Sequence, residues 1–268
     1  MGFRGLRRRV TIASPLGPIH LDLTIDALID LEPTRRGAHL SRNVEALADA
    51  ALSAGGTAPS LESLLDGIAR ALLERHPYAT RAWVRAAMVY HVEVEVPGEP
   101  GLRGVEPVDV EVSVSRSRGG ASEWRVQVAV AGMSVCPSAA STVSEMLGTP
   151  REASPSHAQR VIVRGAVTTR GRMVRIEHIA RALASAPSAP ALTLLKREQE
   201  ARLVLHAFRN QKLAEDIARD ALCALARLAG GCCPEALVEV EVDSMESIHP
   251  HNVYVRRADR ASGILPLC

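Results

Sequence analysis

Phenylalanine, tryptophan and tyrosine together make up only 3% of the 268 residues. The core must therefore be built from valine, leucine, isoleucine and alanine. The chain also lacks the stacking faces that a single-stranded nucleic-acid platform needs. Lysine is nearly missing, with Lys196 and Lys212 set against thirty arginines. No sign of charge dominates, because the formal net charge is only +2. The arginine-rich opening MGFRGLRRRV is then a weak signal for a phosphate-bearing partner and reads as a solvated start. No apolar run approaches the roughly 20 residues of a membrane span, and no signal-peptide apolar region opens the sequence. No membrane and no nucleic acid are expected as partners, and the expected location is cytoplasmic. Cysteine is sparse and odd in number. Cys136, Cys223, Cys232, Cys233 and Cys268 are scattered in a way that predicts no disulfide framework.

What is present is a globular composition, 47% hydrophobic and 23% charged. Period-two alternation recurs in IHLDLTID (19–26), MVYHVEVEV (88–96), VDVEVSVSR (108–116) and WRVQVAVAG (124–132). Such runs predict antiparallel strands with one buried face. Between the first two lie helical patterns over 41–55, capped by Ser41, and over 61–76. The second half repeats the plan. Strands are expected at 159–167, 172–177, 237–249 and 252–257, and helices at 177–186, 192–209 and 212–230. The fold class is α+β. The expected organisation is a first unit over 1–135, a connecting loop over 136–158 and a second unit over 159–268. That connector is rich in serine, proline and alanine, and long loops are often functional.

Several residues suit chemistry without deciding it. Cys136 and His157 flank the connector and offer a sulfur and an imidazole nitrogen. With a carboxylate they would make the mixed donor set of a catalytic metal site, but each reads equally as a core thiol or a loop histidine. Glu200 in LKREQE and Glu215 in KLAEDIAR fall early on helices, where a carboxylate also complements the macrodipole. ESIHPHN groups Glu246, His249 and His251, suited to proton transfer, to metal binding or to a polar turn. RRGAHLSR sets His39 and Ser41 beside Arg42 before a helix start. This combination suits a phosphate or forms a basic loop.

Taken in order, GAHLSRNVE, MSVCP, HAQR, LLKREQE, AEDIAR and ESIHPHN resemble one family across about residues 20–257. It is the GTP cyclohydrolase family that comprises the bacterial type IB and the archaeal type IV enzymes. The resemblance leans to the archaeal branch through SRNVE and LLKREQEARLVLHAFRN. It implies tandem tunnelling-fold (T-fold) units, antiparallel sheets with helices packed on one face, in a homo-oligomer (dimer or tetramer) with active sites between subunits. It implies Cys136, His157 and Glu200 as metal ligands, with Fe(II) expected and Zn or Mn able to serve. It implies Glu215 as the guanine anchor and Glu246, His249 and His251 as the acid–base group. His39, Ser41, Arg42, Gln159, Arg160, Lys196 and Arg197 would bind the rest of GTP.

The implied reaction opens the imidazole ring of GTP at C8, releases formate and closes a dihydropterin. The archaeal product would be 7,8-dihydroneopterin 2′,3′-cyclic phosphate, and the bacterial one the triphosphate. Three departures from the family pattern stand out. Ser138 replaces the second cysteine of Cys-Pro-Cys, the Cys136–His157 interval is long, and Ala158 and Pro250 alter HNQR and ESIHNH. The first two motivate an alternative of another class, a catalytically silent purine- or pterin-binding scaffold, and the last leaves room for altered substrate handling.

Overall fold

The computed structural model describes residues 1–13, 17–52, 57–231 and 233–268. Cys232 and the end of the helix expected over 41–55 therefore lie outside the described residues.

The arginine-rich opening is not a solvated tail but a strand, β1 (Gly2–Ile12). It pairs antiparallel with β2 (Ile19–Ile29), from Gly2 opposite Leu28 to Ile12 opposite Ile19. Strand pairing uses the backbone, so arginine side chains can point to solvent while only Val10 and Ile12 are buried. Next come α1 (Ser41–Leu52), the short β3 (Thr57–Ala58) and α2 (Leu61–Arg75). Ser60 caps α2 by accepting from Ser63 N–H at 3.0 Å. Four long strands follow in part: β4 (Arg81–Glu95), β5 (Arg103–Ser117) and β6 (Glu123–Val135), then α3 (Pro137–Leu147) and the fourth, β7 (Ala158–Arg170). The expected connector is thus largely helical, ended by Gly148 at φ 64°, a left-handed conformation that suits glycine. The chain closes with α4 (Ile176–Ala184), β8 (Ala189–Pro190), α5 (Arg197–Arg209), α6 (Ala214–Gly230), β9 (Leu237–Ser244), β10 (Val253–Arg260) and α7 (Ala261–Ile264). Residues 172–175 are not a strand, and Ile176 already belongs to α4, whose buried face is Ile176, Ile179, Ala180, Leu183 and Ala184. Among the described residues, no helix is long and apolar enough to cross a membrane.

Two compact units result, and their boundaries differ from the contiguous halves expected. Unit 1 comprises 1–90, 109–126 and 168–173; unit 2 comprises 91–108, 127–167 and 174–268. Each of β4, β5, β6 and β7 contributes residues to both, a division that alternation within a strand cannot reveal. In unit 1, β2 lies between β1 and β4, and α2 buries Leu61, Leu64, Leu65, Ile68 and Leu72. Asp66 on α2 accepts from Ser122 Oγ at 2.7 Å and from Arg116 at 2.7 and 3.0 Å. In unit 2 the neighbour order is β10-β9-β7-β6-β5-β4. Gly165 of β7 leaves the space that Leu183 of α4 and Leu225 of α6 fill; a Cβ there would meet them at 2.6 and 2.7 Å. A disulfide joins Cys223 on α6 to Cys268, a pairing that the scattered cysteines, read as forming no disulfide framework, did not announce.

His76, fully buried at the end of α2, ties unit 1 together. Its Nδ1 is 2.8 Å from the Tyr78 hydroxyl and its Nε2 2.9 Å from Asn43 Oδ1. Asn43 Nδ2 donates to Ala27 O at 3.4 Å, so Oδ1 is the atom left to accept, and Nε2 carries the ring proton. Burial, then the charges of Arg42 and His39, hold the His76 pKa below its ordinary value. The unfolded chain then takes up the proton first. The stabilisation from neutral His76 is complete above about pH 6.5 and is lost as pH falls through the lowered folded pKa. Urea midpoints measured between roughly pH 8 and pH 5 should therefore fall more steeply for the wild type than for His76→Gln. Parallel slopes would contradict the buried, neutral His76 as a source of this pH dependence. A second expectation concerns the disulfide. Cys223→Ser should cost on the order of 2–4 kcal/mol in denaturant unfolding, and adding reductant to the wild type should reproduce the loss.

Candidate metal and catalytic site

The inward columns of β6, β7 and β9 run apolar and then end in a polar residue. Val126, Val128 and Val130 lead to Ser134; Val238, Val240 and Val242 lead to Ser244; and Gln159 precedes Val161 and Val163. These three strands are neighbours in unit 2, so their polar ends form one buried cluster. Gln159 is 9% exposed and the two serines 1%. Buried polar groups need partners, and here they find one another. Gln159 Nε2 donates to Glu246 Oε1 at 3.3 Å and to Ser134 Oγ at 3.4 Å. Ser244 Oγ donates to the same Glu246 oxygen at 2.8 Å, and Ser134 Oγ donates to Lys212 O at 2.8 Å. Gln159 Oε1 lies 2.9 Å from His157 Nδ1. Glu246 Oε2 stands 4.0 Å from the same nitrogen, with both side chains largely buried.

Cys136 is held next to this cluster by its backbone. Its N–H donates to His157 O at 3.1 Å, and Ser156 Oγ donates to Cys136 O at 2.6 Å. The preceding Val135 donates to Ser188 Oγ at 3.2 Å and bridges to Lys212, whose N–H meets Val135 O at 3.1 Å. Cys136 is also the N-cap of α3. Its sulfur accepts from Ala139 N–H at 3.4 Å, where the start of a helix favours negative charge. Pro137 at the first helical position has no N–H to leave unpaired. A sulfur and an imidazole nitrogen are donor types that suit a borderline-soft divalent metal. Among the described residues, no group of three or more His, Cys, Asp or Glu side chains is gathered to hold one.

The remaining candidates are dispersed. Glu200 is exposed in the first turn of α5, with Lys196 and Arg197 exposed beside it. Lys196 N–H donates to Gln199 Oε1 at 2.9 Å, which caps the helix. Glu215 is exposed in the first turn of α6. The ESIHPHN group divides: Glu246 joins Gln159, while His249 and His251 are exposed and stack on each other at 5.2 Å. Arg160, exposed, lines a cavity of about 260 Å³ with Glu106, Leu192 and Thr193. Glu106 accepts there from both the N–H and the hydroxyl of Thr193. In unit 1, His39 and Ser41 are exposed at the start of α1, and Arg42 donates to Arg75 O at 3.1 Å.

Sequence reasoning did not single out Ser134, Ser244 or Lys212. The two serines carried a signal, because each sits in the buried phase of a period-two run. Lys212 is the half-buried lysine of the two. Its ammonium donates to Ala186 O at 2.8 Å and pairs with Asp220 at 2.7 Å. A compact point charge suits that narrow position better than a guanidinium fork.

A family model described as Type I GTP cyclohydrolase folE2 matches residues 1–255. A GTP cyclohydrolase MptA of Aeropyrum pernix is 46% identical, with 100% of this chain and 93% of the relative covered. A GTP cyclohydrolase MptA of Methanococcoides burtonii is 32% identical, over 96% of this chain and 88% of the relative. Among solved structures, the uricase of Arthrobacter globiformis superposes with a TM-score of 0.56 at 10% identity, covering 97% of this chain and 92% of the other. That likeness concerns the fold alone, a mixed α+β arrangement rich in antiparallel strands. The match across nearly the whole length makes this chain an enzyme that belongs to the type I GTP cyclohydrolase folE2 family.

Proposed function

We propose that the protein opens the imidazole ring of GTP at C8, releases formate, and delivers 7,8-dihydroneopterin 2′,3′-cyclic phosphate, the first step of a methanopterin-type pterin pathway. The observation that carries this reading is the fixed juxtaposition of Cys136 and His157 beside a buried Gln159–Glu246 network. The 46% identity to a relative named MptA supports the cyclic-phosphate branch over the triphosphate one. In this reading Cys136, His157 and Glu200 hold the metal, Fe(II) in the native enzyme. When bound, the metal supplies a Lewis acid that polarises its substrate and makes water acidic enough to act near neutral pH.

The chain's own residues do the rest. Glu215 accepts the ring N–H and the exocyclic amine of guanine together, a pair that adenine does not present. Glu246 and the His249–His251 pair hold and pass protons as ring nitrogen departs and formate leaves. Arg42, Arg160, Lys196 and Arg197 supply cations for phosphate oxygens, and His39 and Ser41 complete the substrate-binding set. Attack of the neopterin side-chain 2′-hydroxyl, the former ribose ring oxygen O4′, on the α-phosphorus forms the 2′,3′-cyclic ester, gives up the hydroxyl proton and expels diphosphate.

The exposure of Glu200, Glu215, His249 and His251 in a single chain supports sites completed between copies, in a homo-oligomer of tandem T-fold subunits. Leu194 at 82% and Met146 at 79% exposure are further surfaces that assembly would cover.

Phosphorus NMR of an anaerobic Fe(II) reaction should reveal diphosphate and a cyclic phosphodiester, with one formate per GTP. An intact triphosphate ester would instead place the enzyme on the bacterial-type branch. Guanine nucleotide binding without formate would identify a silent scaffold. Glu215→Gln turns one acceptor into a donor facing donors, so GTP affinity should fall roughly 100-fold; unchanged affinity would remove Glu215 as anchor. Cys136→Ala should abolish stoichiometric metal binding while far-UV circular dichroism stays native.

A further inference from the structure

We infer that Gln159 is not a substrate-binding side chain but the positioning residue that fixes the tautomer and aim of His157. This inference rests on the proposed metal role of His157. The donors and acceptors around Gln159 leave its amide one consistent orientation. Ser134 spends its hydroxyl hydrogen on Lys212 O, so toward Gln159 it can only accept. Glu246 Oε1 takes Ser244 as one donor and Gln159 as the other. Both requirements turn the Gln159 amide nitrogen toward Glu246 and Ser134. Its carbonyl oxygen, which can only accept, is then the atom facing His157 Nδ1 at 2.9 Å. Nδ1 must carry the hydrogen, and the lone pair is left on Nε2, the atom free to ligate.

Both amide hydrogens of Gln159 are thereby committed, and the side chain is 9% exposed. Little of it remains to meet a nucleotide. Outer partners of this kind orient a ligating imidazole, and their loss typically weakens metal affinity by about 10–100-fold. Free imidazole side chains have no such constraint, so the bias must come from Gln159 and from what holds it. The two serines hold it in turn, directly through Ser134 and through Glu246 for Ser244.

The test starts with the metal-free wild-type protein, uniformly labelled with nitrogen-15, at mildly alkaline pH. The His157 resonances are identified by their loss in His157→Ala. The inference predicts a protonated Nδ1 and an unprotonated Nε2 for His157. In Gln159→Leu, which keeps the bulk and removes both polar atoms, this preference should disappear and Zn(II) affinity should fall about 10–100-fold. The KM for GTP of the metal-saturated variant should stay within about twofold. A proton on Nε2 in the wild type would overturn the inference without any variant having to fold. Unchanged tautomer and Zn(II) affinity in Gln159→Leu would overturn it too, as would a large rise in KM with affinity for metal intact. Zn(II) affinity unchanged in His157→Ala would instead sink the metal reading of the site, which separates the two failures.

Discussion

One backbone hydrogen bond, from Cys136 N–H to His157 O, sets the geometry on which the site depends. It brings together the two ends of a long segment that contains α3, and it does so with groups that every residue owns. Side chains of the segment can change without moving the pair, provided the bond survives. Its surroundings keep it in place. Ser156 ties the Cys136 carbonyl, Ser188 takes the Val135 N–H, and the Val135–Lys212 bridge fastens the strand end to the start of the α6 region. The Lys212 ammonium, pinned to Ala186 O and Asp220, stiffens that bridge from the other side. The sulfur thus sits where β6 turns into a helix, with helical N–H groups in front of it.

Around this pair the fold accepts a buried polar cluster that pure hydrophobic packing would avoid. An unpaired buried amide or carboxylate costs about 1–3 kcal/mol, and more when charged. The cluster avoids that cost because its donors and acceptors point in one consistent order, from His157 through Gln159 to Glu246 and Ser134. Breaking one member leaves another exposed to the same penalty, so such a network acts as a unit. This coupling also explains why Glu246 separates from His249 and His251. The carboxylate is drawn into the network at the end of β9, whereas the two imidazoles stay at the surface, stacked and accessible.

Much of this was readable in the sequence, and the failures have physical reasons. The valine-rich alternations located β2, β5, β6 and β9, and the apolar spacing located α2 and α6. The same alternation held the polar ends of the columns, Ser134, Gln159 and Ser244, since a polar residue in buried phase needs an internal partner. What it could not show is which strands lie side by side, and hence that the three ends meet. β1 was hidden because its arginines point outward while its backbone does the pairing. α3 was hidden because serine and alanine read as loop, although Pro137 and Gly148 mark its two ends. The Cys223–Cys268 bond joins a helix to a distant segment, and spacing alone carries no trace of it. Gln159 could be found as part of a motif, but its task could not. Only the positions of Ser134 and Glu246 decide which way its amide turns.

X-ray absorption on anaerobic protein loaded with one Zn(II) per chain tests the central claim most directly. The account predicts a single sulfur neighbour at about 2.3 Å with nitrogen and oxygen neighbours at about 2.0–2.2 Å, the sulfur lost in Cys136→Ala and the imidazole scattering reduced in His157→Ala. A shell with no sulfur, or one unchanged by both substitutions, would contradict it.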